Sequence, residues 1–221
     1  VLSPEEMRLM ADIAKEHGLF LVSDEVYREF VYGGEPLASM AQFDDAAENV
    51  GVVDSISKRF SACGARVGIL VSRNQELMAQ ALKICQGRLC AATLDQLGAA
   101  ALYGVGSDYF SAVREEYHKR RDTCMEGLAK IPGVVCECPK GAFYIMAKLP
   151  VDDTDKFQTW LLEEFQDNGE TVMFAPGEGF YGTPGKGRDE VRLAYILKQE
   201  DLRRAMEVLA HGIEAYNSRK L

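Results

Sequence analysis

Several absences narrow the field before any motif is considered. No run approaches the ~20 consecutive apolar residues that cross a bilayer, and no basic-then-apolar leader opens the chain, so a membrane partner is not expected. The six cysteines include no CxxC pair, and only three histidines are present, His17, His118 and His211, far from Cys136 and Cys138 and from one another. A zinc site is therefore not expected, and no metal is assigned. Cys136 and Cys138 alternate along a strand-like run, one toward each side. Reduced core or surface thiols in a cytoplasmic protein are the expectation. A basic stripe is lacking too: 25 lysines and arginines are scattered among 34 carboxylates for a formal charge of −9, which argues against nucleic acid. Gly104-Val105-Gly106 follows no strand and lacks the later glycine of a dinucleotide fingerprint. There is no initiator methionine, and Ser3-Pro4-Glu5-Glu6 already reads as a helix cap with no strand before it. The residues are accordingly expected to be the back part of something longer.

What is present is an ordinary globular composition, 221 residues with 47% apolar content, enough for one large domain or two modest ones. A helical period spans residues 4–17, with Gly18 as its stop. Continuous apolar runs at 19–22, 50–53 and 67–71 read as strands buried on both faces. Helical segments follow at 75–86 and 94–103. This α/β alternation predicts a mostly parallel sheet covered by helices over residues 1–108. From 109 onward the pattern changes to a smaller α+β domain. It has a long charged helix (109–130), strands at 134–138 and 142–148, and a helix at 155–167. A strand at 172–174, a Gly/Pro-rich loop at 176–187, a strand at 190–196 and a helix at 199–216 complete it.

The most informative stretch runs from Val52 to Gly68, Val-Val-Asp-Ser-Ile-Ser-Lys-Arg-Phe-Ser-Ala-Cys-Gly-Ala-Arg-Val-Gly. A lysine at the carboxyl end of a buried strand can lose its proton and attack a carbonyl as a Schiff-base nucleophile. Serine hydroxyls and an arginine fork close by suit a phosphate. A phosphate-bearing aldehyde, pyridoxal 5′-phosphate (PLP), satisfies both demands. Ligands of open α/β sheets gather outside the carboxyl ends of the strands. Asp24 and Tyr27 follow the first strand, Ser55 and Lys58 follow the second, and Arg66 precedes the third. Singly, each has a plain explanation: Asp24 capping a turn, Lys58 solvated, Arg66 paired with a surface carboxylate. For Arg192, within Glu190-Val191-Arg192-Leu193-Ala194, the plain explanation is an exposed ion pair on a sheet. Arg28 and Arg59 are read as solvated or in surface pairs.

Taken together and in order, Asp-Glu-Val-Tyr at 24–27, Ser-Ile-Ser-Lys at 55–58 and Gly-Ala-Arg-Val-Gly at 64–68 resemble the class I/II aminotransferases of PLP fold type I, aspartate aminotransferase-like members in particular. The resemblance continues through Gly141-Ala142-Phe143-Tyr144, Pro176-Gly177 with Phe180, and Val191-Arg192-Leu193-Ala194. It implies a remainder of the PLP-binding large domain at 1–108 and the small C-terminal domain at 109–221. It further implies that Lys58 carries the cofactor and shuttles the proton, that Asp24 pairs with the pyridine nitrogen, and that Tyr27 bonds the ring hydroxyl. Ser55 and Arg66 would hold the phosphate, Ser57 is a weaker candidate, and Arg192 would grip the substrate α-carboxylate. One departure is Ala65, where many members carry a bulky aromatic. Another is that the family's front half, with part of the cofactor site, is not among these residues. The implied activity is amino transfer between an amino acid and a 2-oxo acid by a ping-pong route, in a homodimer when full-length, with little turnover by these residues alone. A C–S β-lyase of the same fold and a non-enzymatic regulatory domain are the alternatives.

Overall fold

Ser3 and Glu6 close the first helix as their spacing demands. The Ser3 hydroxyl accepts from the Glu6 amide at 3.2 Å while the Glu6 carboxylate accepts from the Ser3 amide at 2.7 Å, two otherwise orphaned donors satisfied at once. The computed structural model describes residues 1–34 and 38–219. They divide into two units, Val1–Arg114 and Glu115–Leu221, a few residues beyond the expected boundary.

In the first unit, α1 (Pro4–Glu16) buries Met7, Ala11 and Ala14. Gly18, at φ +60°, turns the chain out of it. The chain continues through β1 (Leu21–Asp24), β2 (Val50–Ser55), α2 (Ile56–Arg59), β3 (Gly68–Ser72), α3 (Gln75–Arg88), α4 (Thr93–Leu102) and α5 (Ser107–Leu128), in which the division between the units falls. The strand order is β1-β2-β3. β1 and β2 run parallel, with Leu21 opposite Val50, but β3 returns antiparallel, with Ser55 opposite Gly68. The reason is the connection. Residues 56–67 hold only the four-residue α2 and a short 3-10 turn, Cys63–Ala65, whereas a parallel crossover needs a helix long enough to cross a sheet face.

Met7 and Ala11 pack with Met40, Ala46, Val50 and Val52, so the middle strand is well covered. The outer strands are not. Val22 is 64% and Val71 52% exposed, which corrects the expectation that all three strands are buried on both faces: the α1 cluster reaches β1 through Leu21 but leaves Val22, on the opposite face, and Val71 of β3 open. A second cluster gathers Ile56, Phe60 and Ala99 with Leu102, Tyr109 and Phe110. It ties the segment after β2 to α4 and the start of α5.

The second unit contains the rest of α5, then β4 (Val135–Cys136), β5 (Tyr144–Lys148), α6 (Thr154–Glu163), β6 (Ala175–Pro176), β7 (Glu190–Ala194) and α7 (Gln199–Ser218). Its sheet, β4-β5-β7-β6, is antiparallel throughout. The strand expected at 172–174 is displaced to β6, because the Phe174 amide donates to the Gln158 side chain at 2.7 Å and not to a ladder. Phe157 sits at the centre of an aromatic core, its ring centroid 5.0 to 6.2 Å from those of Trp160, Phe174 and Tyr216. Helices α6 and α7 meet at Gly212, where a Cβ would lie 2.8 Å from Leu161. Cys124 is buried and its thiol is pushed up to about 11 by that burial. Cys136 is half-buried and Cys138 exposed.

Candidate active site

The topology collects the sequence candidates of the first unit at one sheet edge. Asp24 ends β1 and Ser55 ends β2, and the two strands are parallel. β3 runs the other way and begins at the same edge, so Arg66, two residues before it, arrives there as well. That edge, outside the carboxyl ends of the parallel strands, is where open α/β sheets take ligands.

The lysine turn is built from its anchors outward. The Ser55 hydroxyl accepts from the Ser57 amide at 3.2 Å and caps α2. Ile56 and Phe60, both buried, pin the turn into the cluster with Ala99. Between them Lys58 is half-buried, its Nζ 5.9 Å from the centroid of the Tyr27 ring, so it is not the freely solvated lysine of the plain reading. Tyr27 follows β1 and packs edge-on against Phe30. Asp24 is exposed and its Oδ1 accepts from the Val26 amide at 3.2 Å. The turn-capping role is thus real, and it occupies one carboxylate oxygen.

Arg66 is exposed and holds a left-handed backbone, φ +57° and ψ +37°, a conformation that costs a non-glycine residue about 1 kcal/mol. Its Nη1 donates to the Cys63 carbonyl at 3.0 Å. No carboxylate lies within ion-pairing distance of it among the described residues. Its positive charge is unspent, unlike that of a surface-paired arginine.

Arg59 overturns its sequence reading. It is 6% exposed, with Nη2 2.5 Å from Asp54 Oδ2 and Nε 3.8 Å from Glu29 Oε1. It is neither solvated nor in a surface pair. Its position beside Lys58 at the end of a four-residue helix, with Ile56 and Phe60 facing the core, turns it inward. Arg28, one-third exposed, lies 3.5 Å from Glu25, so it too pairs with an inward carboxylate and not on the open surface. Glu25 itself is buried and accepts from the Ser39 hydroxyl and the Met40 amide, each at 2.9 Å.

In the second unit, β7 alternates as its sequence predicts: Val191 and Leu193 are buried while Arg192 lies on the other face. Its register partners are Met146 and Ala175, and no carboxylate lies within ion-pairing distance among the described residues. The ion pair of the plain reading is absent there. Instead the guanidinium carbon lies 4.5 Å from the Tyr144 ring centroid and 4.6 Å from that of Phe180. Tyr144 pairs with Ala194, the diagonal neighbour from which a ring reaches across. Phe180 is delivered by the Pro-Gly loop. A Cβ at Gly177 would lie 2.7 Å from the Glu190 carbonyl oxygen and 2.8 Å from that of Gly187, so only glycine lets the loop lie against β7. Tyr181 completes the attachment with a hydrogen bond to Glu190 that raises its phenol pKa. The motif residues Tyr144 and Phe180 were legible in sequence, but their contact with Arg192 was not, since β5 and the loop meet β7 only in three dimensions.

Two aromatic faces leave the edge of a guanidinium free for a planar anion. In the first unit, an amine, hydroxyls, an unspent guanidinium and a carboxylate at one edge form a donor set suited to an aldehyde that carries a phosphate. The match to the family described as aminotransferase class I and II spans residues 1–209. The chain belongs to that family. Among aminotransferases it is 30% identical to the aspartate aminotransferase of Bacillus subtilis, over 96% of this chain and 54% of that protein. It is 32% identical to a probable aspartate/prephenate aminotransferase of Aquifex aeolicus, over 97% of this chain and 54% of the other. The crystal structure of an aromatic aminotransferase from Pyrococcus horikoshii superposes with a TM-score of 0.85 at 28% identity, covering 98% of this chain and 57% of that one. The chain thus spans about half the length of the curated relatives it matches, and its α/β first unit is part of fold type I. No helix among the described residues is long and apolar enough to cross a membrane.

Proposed function

We propose that these residues are the lysine- and arginine-bearing portion of a PLP-dependent aminotransferase that moves an amino group between an amino acid and a 2-oxo acid in two alternating half-reactions. The observation that carries this reading is the gathering of Asp24, Ser55, Lys58 and Arg66 at one sheet edge, with the charge of Arg66 unspent. Bound PLP supplies an electron sink for the substrate Cα. The chain's own residues supply the rest. The Lys58 amine holds the aldehyde carbon and carries the proton to and from that Cα. Asp24 keeps a proton on the pyridine nitrogen, and Tyr27 donates to the ring hydroxyl oxygen. Ser55 and Arg66 hold the phosphate, with Ser57 a lesser contributor. Arg192, its fork kept open between two rings, takes the substrate α-carboxylate.

An aspartate-like or broader amino-acid donor is supported by the names of the relatives, and 2-oxoglutarate is the proposed acceptor. The full-length protein is proposed to be a cytoplasmic homodimer. The 221 residues alone are expected to bind PLP weakly and turn over little, since they span about half of those relatives and Asp24 and Arg66 stand exposed.

The test uses the full-length polypeptide with PLP. A visible absorption band that borohydride traps on Lys58 is expected, lost in Lys58→Ala together with about 10³-fold or more of the transamination rate. Labelling of another lysine, or a trapped band that survives in Lys58→Ala, would falsify the assignment. Pyruvate and ammonia from cysteine or cystathionine without a 2-oxo acid would move the reaction to β-elimination.

A further inference from the structure

The lysine turn is braced by charges for which the proposed chemistry has no use. Arg59 and Asp54 face each other at 2.5 Å with side chains only 7% and 13% exposed. The second Asp54 oxygen accepts from the Ser55 amide at 2.7 Å. One carboxylate thus holds the guanidinium at the far end of the turn and the peptide N–H at its near end, and Ser55, Ser57 and Lys58 lie between these anchors. Glu29 lies 3.8 Å from Arg59 Nε, and Tyr103 places its ring centroid 5.9 Å from the guanidinium carbon. The Nε hydrogen itself has no hydrogen-bond partner among the described residues.

Stability alone explains this arrangement poorly. Taking two charges out of water is costly, and a well-packed apolar pair of similar volume is commonly as stable or more so. What the pair supplies and an apolar pair lacks is direction, because a guanidinium fork accepts its carboxylate in few orientations. We propose that the Arg59–Asp54 pair is a positioning device that sets α2 against the end of β2, so that the Lys58 amine and the Ser55 hydroxyl meet a phosphorylated aldehyde at a fixed separation. This rests on Lys58 being the lysine that carries the cofactor.

The test compares the full-length polypeptide with Arg59→Met, Asp54→Asn, the double variant and Arg59→Lys. Three readouts are taken: the melting temperature, the affinity for pyridoxamine 5′-phosphate, which has the ring and phosphate but no aldehyde, and the rate of borohydride trapping of PLP on Lys58. Arg59→Met leaves the carboxylates of Asp54 and Glu29 without their cation and lowers the melting temperature by several degrees, while Asp54→Asn leaves Arg59 only the longer Glu29 contact and lowers it less. The double variant, which still leaves Glu29 without its cation, regains part of that loss, yet its trapping rate and its affinity for pyridoxamine 5′-phosphate stay about 10- to 100-fold below the parent. Arg59→Lys keeps the charge without the fork, and it recovers stability more fully than trapping. Parent-like trapping and affinity in a folded double variant overturn the proposal and leave the pair merely structural. If the double variant does not fold, parent-like trapping in Arg59→Lys overturns it instead. Labelling of the unaltered protein at a lysine other than 58 overturns the underlying assignment, a separate and recognisable outcome.

Discussion

Helix α7 of the arginine-bearing unit buries seven residues, from Leu202 to Tyr216, whereas α3 of the lysine-bearing unit, fourteen residues long, buries none. The strands differ in the same way. Val191 and Leu193 of β7 are covered, while Val22 of β1 is 64% and its neighbour Phe20 65% exposed. The arginine unit satisfies its apolar pattern with its own residues, so Arg192 is held by a packed sheet and two rings. The lysine unit does so only around β2, and its site residues stand at a sheet edge with few neighbours to hold them. Where packing is thin, polar fastenings have to fix geometry: Ser55 on Ser57, Asp54 on both Ser55 and Arg59, Arg66 on the Cys63 carbonyl.

The contrast is most directly broken or upheld by hydrogen exchange on the 221-residue chain. Amides of α3 are expected to exchange about 10³-fold or more faster than those in the middle of α7, and comparable protection would remove the distinction. Next in size is the arginine. If Arg192 takes the substrate carboxylate as proposed, Arg192→Ala in the full-length protein should lower kcat/KM about 10²-fold (~3 kcal/mol). Phe180→Ala, which strips one face of the guanidinium, should raise KM by about tenfold or less. An equal fall in kcat alone would show that the rings do something other than orient a binding group.

Packing gives a third comparison. Gly212→Ala drives a methyl to 2.8 Å from Leu161 and should cost about 1–3 kcal/mol in a urea melt. Val22→Thr, on the open face of β1, should stay within about 0.5 kcal/mol. The smallest effect concerns Asp153, whose carboxylate pairs with Arg188 at 2.6 Å and accepts from the Lys156 amide at 3.0 Å. The arginine, then the amide, holds its pKa below the usual value. A depressed folded pKa means that this stabilisation is present above the unfolded carboxylate value near ~4 and is lost as pH falls through the lower folded value. Asp153→Asn should therefore cost about 0.5–1 kcal/mol at neutral pH, with the gap to the parent closing in acid urea melts.

Much of this was legible in the residues. Ser3 and Glu6 announced α1, the alternation around Arg192 announced β7, and the serine–lysine–arginine order announced both the sheet edge and the family. Those signals are local, because capping and periodicity act over a few positions. The rest depends on distant neighbours. The reversal of β3 follows from a connection with no room for a crossover helix. The burial of Arg59 follows from Ile56 and Phe60 claiming the core beside it. The strand expected at 172–174 was displaced when the Phe174 amide took the Gln158 side-chain oxygen as its acceptor. The rings that flank Arg192 come from separate parts of the chain, and no spacing rule connects them.

Because Ser55 stands directly across from Gly68, the intervening residues 56–67 are closed off at both ends like a loop of fixed circumference. Adding or deleting one residue between positions 58 and 66 would slip the ladder or shift the amine relative to the guanidinium. Length in this segment should therefore tolerate far less change than side-chain identity, as with the methyl of Ala65.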